Sequence, residues 1–341
     1  MEQISVVGID LAKHIFQVHG ADRDGRAVLR QSVGREQLVA LMSSFPRCVV
    51  AMEACAGAHH WARQFQALGH DVKLIPPSRV KPFVGRQKND AADAAAICEA
   101  AQRPTMRFAA VKTETQQASL LDHRTRDLLV HQRTMMINAL RGHLAEFGIV
   151  AAKGLAGAQG LLNLVEDEVH PLAVPAAARP ALRTLAGGIR GLTEQIKAIE
   201  RRLKAVSVAD DRVQRLMEIP GVGLLGATVM AATVPDARMF RSGRDFAAWI
   251  GLVPKQHSSG GKTRLGRVTK MGDRYIRRLL ISGALAAIYR RKRGPGFASS
   301  WLGKMLARKP VRLVAVALAN KIARIAWALL ARGETYRAAA A

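Results

Sequence analysis

Acidic residues end two strand-like runs in the first third of the chain, and two more open a later helix. Asp10 ends the first apolar run, and Glu53 directly follows another one. Asp90 and Asp93 lie three residues apart in an alanine-rich segment with helical character, so they share one face of that helix. Because strands that end on acids can direct them to one edge of a sheet, we expect these four carboxylates to gather.

Four carboxylates brought together repel one another unless cations lie between them. Two Mg²⁺ ions about 4 Å apart, held by carboxylate oxygens, are a common solution, and such a pair clamps both sides of a scissile phosphate. The sequence therefore predicts a two-magnesium site for phosphodiester chemistry. Its predicted ligands and catalytic acids are Asp10, Glu53, Asp90 and Asp93.

Each acid taken alone also suits a structural role. Asp90 and Asp93 fall in the first helical turn, where negative charge is favoured, and Asn89 could cap that helix. Asp10 could be a turn residue and Glu53 a solvated strand end. The joint order is more informative: an acid after the first strand, an acid after a later strand, then an aspartate pair opening a helix. That order is the arrangement of the RNase H-like fold.

The elements around these acids favour a mixed α/β domain. Three strand-like runs separated by turn residues suit an antiparallel meander, and further strands then alternate with helices. The predicted strands are 4–10, 14–19, 27–33, 48–52 and 71–75, and the predicted helices are 58–68 and 90–101. We therefore predict an α/β domain over residues 1–113.

Residues 114–206 are predicted to form a helical, coiled-coil spacer. The segment 114–147 has a helical pattern, and further along apolar residues recur at spacings of 4, 3, 4 and 3. These residues are Leu192, Ile196, Ile199, Leu203 and Val206. They make two heptads of a seam, which is short enough to suit an intramolecular helix pair as well as a dimer contact. Residues 148–190, rich in Gly, Ala and Pro, give no clear pattern.

Residues 207–341 are predicted to form a mainly α C-terminal domain. The turn IPGVG, residues 219–223, precedes a helical run, which is the pattern of a helix-hairpin-helix element. The N–H groups of Gly221 and Gly223, with the helix N-terminus, could hold a backbone phosphate. The alternative is an ordinary turn between helices. Further helices are predicted over 244–250, 273–289 and 311–331.

Two adjacent hydroxyls, Ser258 and Ser259, run directly into a glycine pair and then into a series of cations. A glycine pair lets the backbone adopt a positive φ and approach a ligand, and the cations can donate hydrogen bonds to phosphate oxygens. A serine presented there could attack a phosphodiester. From these residues alone, a Ser/Gly turn on a basic surface is the simpler interpretation, and the rest of the chain favours the catalytic one. His257 is close enough in sequence to act as a base, and it is the weaker candidate.

Positive charge dominates the chain and predicts a polyanionic partner. Lys and Arg number 52 against 26 Asp and Glu, a formal net charge of +26. Residues 1–100 contribute only +2, whereas residues 255–309 hold 15 cations and the single acid Asp273. Nucleic acid is the partner that such a surplus favours, and an aromatic content of 5% argues against a base-stacking platform. The predicted nucleic-acid contacts are Gly221, Gly223, Lys262, Arg264, Arg267, Lys270, Arg274, Arg277 and Arg278.

The cysteines and the hydropathy of the chain bear on its location. Three cysteines without a CxxC pair indicate neither a disulfide framework nor a zinc site. The N-terminus passes directly into a strand-like run, so no signal peptide is expected. No segment contains the roughly 18–20 uninterrupted apolar residues of a membrane span. We expect a protein of the bacterial cytoplasm, located at the nucleoid, with no membrane partner.

Several motifs resemble those of one group of bacterial transposases. The stretches VVGIDLAKHIF around Asp10, VVAMEACAG around Glu53 and KNDAADA over Asp90 and Asp93 look like the DEDD signature of a RuvC-like domain. IPGVG and the later GLVPKQHSSGGKTRLGRVTKMGDRYIRRLL look like the C-terminal domain of the same transposases. The resemblance runs in order over nearly the whole chain. It is to the insertion-sequence family often called "IS one-ten".

This resemblance implies a DNA recombinase that excises and inserts a mobile element. It implies that a structured non-coding bridge RNA, encoded by the element, pairs with target and donor DNA. It assigns the role of nucleophile to Ser259, which would form a covalent phosphoserine link to DNA. Ser258 is the alternative position. It also implies that the DEDD acids bind Mg²⁺ at a site shared with that serine, between subunits of a synaptic tetramer. The expected assembly is a homo-oligomer, from a dimer to a tetramer.

Two other functions suit parts of the pattern. A RuvC-like metal-dependent nuclease or junction resolvase would use the DEDD acids alone, without a covalent intermediate, and its C-terminal part would only bind DNA. A non-catalytic nucleic-acid-binding protein would use the acids structurally. The combination of the acids, the serine loop and the charge favours the recombinase.

Overall fold

The computed structural model describes residues 4–85, 89–167, 173–292, 294 and 296–337. Contacts within the chain separate two compact units, Met1–Glu114 and Thr115–Ala341. The finer division into residues 1–113, 114–206 and 207–341 stays a prediction, and residues 168–172 of its middle part lie outside the described ranges.

Five strands form one mixed sheet in the first unit. They are β1 (Val6–Asp10), β2 (Ile15–Ala21), β3 (Ala27–Gly34), β4 (Val49–Glu53) and β5 (Asp71–Ile75). Their order across the sheet is β3-β2-β1-β4-β5. The predicted antiparallel meander is confirmed in β1, β2 and β3, while β4 is parallel to both β1 and β5. β5 has the predicted bounds, and the other strands differ from prediction by one or two residues at an end.

Helices cover both faces of this sheet, because the side chains of a strand alternate between its two faces. The helices are α1 (Leu38–Ser43), α2 (Ala58–Ala67), α3 (Pro77–Val80) and α4 (Asp90–Ala101). Val7 and Ile9 of β1 are buried in the core that includes α1 and α2. Val6, from the opposite face of the same strand, packs with Cys98 of α4.

Among its described residues, the second unit contains helices and one two-stranded hairpin. The helices are α5 (Glu114–Ala145, beginning at the unit boundary), α6 (Leu155–Glu166), α7 (Arg179–Val208), α8 (Asp211–Met217), α9 (Leu224–Thr233), α10 (Gly243–Ile250), α11 (Arg274–Arg291), α12 (Trp301–Leu306) and α13 (Val311–Arg332). The hairpin strands are β6 (Pro254–Gln256) and β7 (Leu265–Val268). The mainly helical C-terminal part confirms the prediction, whereas the hairpin is an addition to it.

The predicted seam lies in the second half of α7. Ile196, Ile199 and Leu203 are buried within this single chain, which favours the intramolecular helix pair over the dimer contact. The seam ends earlier than predicted, because Val206 is 49% exposed and Ser207 takes the next buried position.

The first half of α7 lies in the stretch that gave no clear pattern in sequence. Gly188 lies at a close contact, since a Cβ on it would lie 2.3 Å from the Cε atom of Met136 on α5. Two ion pairs also join these helices, Arg126 with Glu200 and Arg202 with Asp122. Gly188, one of the residues that weaken the helical signal, therefore lies at the contact between α5 and α7.

α13 is a central helix of the C-terminal core. Its buried face includes Ala315, Ala319 and Ala323, which pack into the core shared with helices α8 to α11. Within the described part of the chain, α13 is also the helix that is long and apolar enough to cross a membrane by length and composition alone. Core helices pass the same test, and the buried face together with Lys321 and Arg324 identifies α13 as one of them.

A polar network is buried where α5, α9 and α11 meet. His123 is 2% exposed, and its Nε2 atom lies 3.0 Å from Thr228 Oγ1 while its Nδ1 atom lies 3.3 Å from Tyr275 Oη. Thr228 Oγ1 also donates to the Leu224 carbonyl at 2.7 Å. A neutral imidazole completes this network by donating through Nε2 and accepting at Nδ1. Burial, together with the charge of Arg126, lowers the pKa of His123 to about 4.

Acidification should therefore destabilise the second unit through His123. The pKa of the imidazole is about 6.5 in the unfolded chain and about 4 in the folded one, so only the unfolded chain takes up a proton between those pH values. The free energy of unfolding should fall by up to about 3 kcal/mol as the pH falls through this window. Urea unfolding of the wild-type chain and of His123→Gln, which does not titrate, measures the effect. Equal pH slopes for the two proteins would contradict it.

Candidate functional site

Asp10 and Glu53 end neighbouring parallel strands. Ile9 of β1 is paired with Met52 of β4, so the next residue of each strand lies at the same edge of the sheet. Ile9 and Met52 belong to the core that includes α1 and α2, whereas Ala51 belongs to the core that includes α4. Because side chains alternate along a strand, Asp10 and Glu53 lie on the α4 face.

The first turn of α4 brings two further acids to Asp10. Asn89 Oδ1 accepts a hydrogen bond from the Ala92 N–H at 2.7 Å and so caps the helix, which confirms that prediction. Capping therefore does not require Asp90 or Asp93. Carboxylate oxygens of Asp10, Asp90 and Asp93 lie within 4.8 Å of one another. Oxygen ligands suit Mg²⁺ and similar hard cations, so this acidic cluster could hold a divalent metal ion.

Glu53 lies beside the acidic cluster and is not a member of it. The group of oxygens within 4.8 Å comprises the three aspartates alone among the described residues. Glu53 and Asp10 nevertheless act on the same neighbour: burial raises the pKa of the Cys55 thiol, and the charges of Glu53 and Asp10 raise it further. The structure thus gathers three of the four predicted acids and places the fourth at the end of the adjacent strand.

The serine loop forms the tip of the β6–β7 hairpin. Gly260 and Gly261 have φ values of +55° and +73°, and the Lys262 N–H donates to the Ser259 carbonyl at 3.1 Å. Two successive residues with positive φ make the type I′ turn that suits a two-residue hairpin loop. The backbone therefore requires the glycine pair, and the turn presents Ser259 at the exposed end of the hairpin.

The two serines have different surroundings. Ser258 Oγ accepts a hydrogen bond from the Arg264 N–H at 3.1 Å, which ties Ser258 to the opposite side of the hairpin. Among the described residues, the Ser259 hydroxyl has no hydrogen-bond partner. Ser259 is therefore the hydroxyl that can turn toward a ligand without breaking a contact of the hairpin.

His257 packs on the hairpin itself. The backbone N–H of His257 donates to the backbone carbonyl of Arg264 at 2.8 Å. Its imidazole lies against Gly266 of β7, where a Cβ would be 3.2 Å from His257 Cδ2. These contacts account for the position of His257, and its role as a base stays a prediction.

The predicted cationic contacts fall into two groups. An exposed group follows the hairpin and the segment leading to α11, and comprises Lys262, Arg264, Arg267, Lys270 and Arg274. Two others have intramolecular partners. Arg277 donates to the carbonyls of Ile250 and Met271 at 2.8 and 2.7 Å. Arg278 pairs with Asp127 of α5. Arg277 and Arg278 hold α11 to its neighbours, and Arg278 is at the same time exposed. Phosphate binding by any of these cations stays a prediction.

The predicted phosphate-binding turn joins α8 to α9. Gly221 has a φ of +95° and packs against α11, since a Cβ on Gly283 would lie 1.8 Å from the Gly221 carbonyl oxygen. Gly223 is exposed and is the N-cap of α9. Packing therefore accounts for Gly221, and phosphate binding at this turn stays a prediction.

Known transposases match both regions of the chain. Residues 7–149 match a family model for IS110 DEDD transposases, and residues 213–300 match one described as "Transposase IS116/IS110/IS902 family". A "probable family 20 transposase" of Pseudomonas aeruginosa is 48% identical over 98% of this chain and 99% of its own length. The transposases for IS1328 of Yersinia enterocolitica and IS1111A of Coxiella burnetii are each 42% identical, over 98% and 100% of this chain and 99% and 93% of theirs. The chain belongs to the IS110 transposase family.

Membership of the IS110 transposase family confirms the family expected from the motifs and implies a DNA substrate. The four predicted acids lie within the residues matched by the DEDD family model, and Ser259 lies within those matched by the second. The mixed α/β unit with its five-stranded sheet is consistent with a RuvC-like DEDD domain, and a mostly helical region follows it.

Gly8 is a residue of this transposase whose importance the motifs do not reveal. It lies on the α4 face of β1, two residues before Asp10, where a Cβ would be 2.4 Å from the Ala94 carbonyl oxygen and 2.6 Å from the Cys98 nitrogen. Only a glycine therefore lets α4 lie this close to β1, and the close approach brings the first turn of α4 to Asp10. The feature of the sequence that could have indicated this role is a glycine inside a predicted strand, since such a glycine often marks the close approach of another backbone.

Gly8→Ala should weaken both the fold and the acidic cluster of the transposase. Its Cβ would push α4 away from β1, lowering the free energy of unfolding by about 1–3 kcal/mol and moving the α4 aspartates away from Asp10. Thermal unfolding and calorimetric titration with Mn²⁺ measure the two effects. Gly34→Ala is the control, because a Cβ there would lie at an ordinary 3.4 Å from Gln37 Oε1. An unchanged Mn²⁺ affinity in Gly8→Ala would contradict the positioning role.

Proposed function

We propose that this transposase cuts and rejoins DNA through a covalent phosphoserine intermediate at Ser259. The observation that carries the proposal is the hydroxyl itself, exposed at the tip of a tight hairpin among cations and without a hydrogen-bond partner in the described residues. Ser259 Oγ would lose its proton and form a bond to phosphorus as the bond from phosphorus to one deoxyribose oxygen breaks. The departing oxygen takes up a proton, and the new phosphodiester keeps the bond energy for rejoining.

The carboxylates of the first unit would hold Mg²⁺, two ions in this proposal. Asp10, Asp90 and Asp93 suit that role because their oxygens lie within 4.8 Å of one another, and Glu53 ends the neighbouring strand. Bound Mg²⁺ would lower the pKa of a hydroxyl that it holds, and it would stabilise negative charge on the phosphate. A serine hydroxyl is a weak nucleophile at neutral pH, so it needs such activation. As the resemblance to the family implies, we therefore propose that the acids of one copy of the chain and Ser259 of another act on the same phosphodiester.

The other proposed partners are a structured bridge RNA and further copies of the chain. The resemblance to the family supports both, together with an assembly of two to four copies at the nucleoid of the bacterial cytoplasm. The net charge of +26 supports a nucleic-acid partner of either kind. On the exposed hairpin, Lys262, Arg264 and Arg267 would contact phosphates, which fixes position on the nucleic acid without reading its sequence.

A second candidate function is a RuvC-like nuclease or junction resolvase. The three aspartates gather within a unit that has its own core, so that unit could hydrolyse DNA with water as the nucleophile. The second unit would then only bind DNA. The two functions differ in one product, since only the recombinase forms a covalent bond between protein and DNA.

Covalent capture tests the proposal. The protein is expressed in bacteria together with its native flanking DNA, so that any RNA encoded there is also made, and the denatured protein is assayed for attached DNA. We expect an adduct that mass spectrometry of the nuclease-treated peptide assigns to Ser259. DNA cleavage without an adduct would establish the resolvase. If neither DNA cleavage nor an adduct is found, both functions are overturned in favour of non-catalytic binding.

A further inference from the structure

A groove of about 1270 Å³ lies on the second unit, at the base of the hairpin that carries Ser259. Pro254, Gly266 and Arg267 of the hairpin line one part of it, and residues in or next to α10, α12 and α13 line the rest. Pockets for small ligands usually measure roughly 300–1,000 Å³, so a groove of this size suits an extended ligand.

The lining of the groove is largely apolar and includes two of the four tryptophans of the chain. Trp301 is 43% exposed and Leu313 is 50% exposed, although both are large apolar side chains. Trp327 also lines the groove, and its Nε1 atom donates to the Ala237 carbonyl at 3.0 Å, which fixes the ring. The groove therefore offers aromatic surface that can pack against another flat apolar group.

Five cations share this groove with the tryptophans, and no acid is present among its described lining residues. They are Arg244, Arg267, Lys309, Lys321 and Arg324. Across the described ranges, none of the five forms an ion pair with a carboxylate. Lys321 Nζ lies 5.3 Å from the centre of the Trp301 ring, so an ammonium is held beside an indole. Uncompensated positive charge and apolar surface thus occur together.

We propose that this groove binds an unpaired segment of a DNA strand beside the Ser259 hairpin, with bases against the tryptophans and phosphates at the cations. The ligand must combine negative charge with exposed flat apolar faces. An unpaired strand has one phosphate per nucleotide and open base faces, and stacking on aromatic side chains is a common way to hold it. A duplex keeps its base faces inside the stack, so it would leave the tryptophans without a partner.

Two other occupants suit the groove less well. A second copy of the chain would bring a surplus of positive charge toward five cations, since the chain has 52 basic and 26 acidic residues. An RNA strand has similar phosphates and bases. DNA is preferred because the hairpin that lines the groove also presents Ser259, whose proposed substrate is DNA. Only this choice of DNA over RNA rests on the proposed function.

Binding of labelled oligonucleotides tests the groove without chemistry. The full chain with Ser259→Ala, alone and combined with groove variants, is titrated into fluorescein-labelled oligothymidylate, oligouridylate and a DNA duplex, with anisotropy as the readout. Salt at about 0.3 M weakens phosphate contacts and leaves stacking more visible. Trp301→Ala should weaken binding of the single DNA strand about tenfold or more and change duplex binding less than about threefold.

Matched variants separate the groove from the rest of the surface. Trp301→Phe keeps an aromatic face and should restore single-strand binding to within about threefold of the parent. Tyr289→Ala removes an aromatic side chain that is 59% exposed on α11, outside the groove, and should leave binding unchanged. Lys309→Ala should weaken single-strand binding and lower its salt dependence, whereas Lys304→Ala, outside the groove on α12, should do neither.

Several outcomes would overturn the groove proposal. They are an equal loss of duplex and single-strand binding in Trp301→Ala, no loss at all, a Trp301-dependent preference for the RNA strand, or a change of oligomeric mass with DNA binding unchanged. If Trp301→Ala fails to fold, Trp301→Phe and Lys309→Ala decide the question. Covalent capture with the intact Ser259 reads adduct formation and the titration reads binding alone, so failure of this proposal is distinguishable from failure of the proposed function.

Discussion

Ser259→Ala is expected to lower the yield of covalent protein–DNA adduct by at least about a thousandfold. The substitution removes the nucleophilic oxygen and leaves the turn intact, because Gly260 and Gly261 supply its positive φ angles. The neighbouring hydroxyl does not replace it, since Ser258 Oγ is bound to the Arg264 N–H across the hairpin. The measurement is covalent capture, with the DNA retained on denatured protein quantified against the wild type.

Ser258→Ala is the matched control for this prediction. It removes one neutral hydrogen bond, worth about 1 kcal/mol, so the adduct yield should fall by no more than about tenfold. An adduct that persists in Ser259→Ala and disappears in Ser258→Ala would move the nucleophile by one residue. DNA cleavage that continues unchanged in Ser259→Ala, with no adduct in any variant, would make water the nucleophile and support the resolvase.

The acids could be placed from sequence because their positions depend on local patterns. An apolar run that ends on an acid indicates both a strand and the side chain at its end, and the alternation of side chains then determines the face. The helix of Asp90 and Asp93 has its predicted bounds because Asn89 provides a recognisable cap. The separation of Glu53 from the three aspartates could not be predicted, since it depends on how side chains on different elements are placed in space.

Features that depend on contacts between distant residues could not be predicted. Glycines lower helix propensity, so the sequence of the first half of α7 shows no clear helical pattern. Gly188 nevertheless lies at the contact with Met136 of α5, which only the fold reveals. The β6–β7 hairpin is short and largely exposed, so it lacks the alternation of apolar residues that indicates a strand. An aromatic content of 5% argues against base stacking for the chain as a whole, and only the fold brings Trp301 and Trp327 to one groove.

Asp93→Asn is expected to lower both DNA cleavage and adduct formation by at least about a thousandfold. Asparagine keeps the size of the side chain and loses the charge that, with Asp10 and Asp90, would hold a divalent cation. The loss should be one of catalysis and not of folding, because Asn89 caps α4. Cleavage and covalent-capture assays measure the activity, and Glu99→Gln is the matched control, since Glu99 lies on the same helix and pairs with Arg103 outside the acidic cluster.

Thermal unfolding separates a metal-binding role of Asp93 from a structural one. In EDTA the Asp93→Asn and wild-type chains should differ by no more than about 1 kcal/mol, the scale of a charge interacting with a helix N-terminus. Added Mn²⁺ should stabilise the wild type by mass action and leave the variant unchanged. A variant that is far less stable in EDTA would assign Asp93 to the folding of α4. DNA cleavage that survives the substitution would remove Asp93 from the catalytic acids. If neither the wild type nor Asp93→Asn cleaves DNA, the protein would be a DNA-binding protein whose acids are structural.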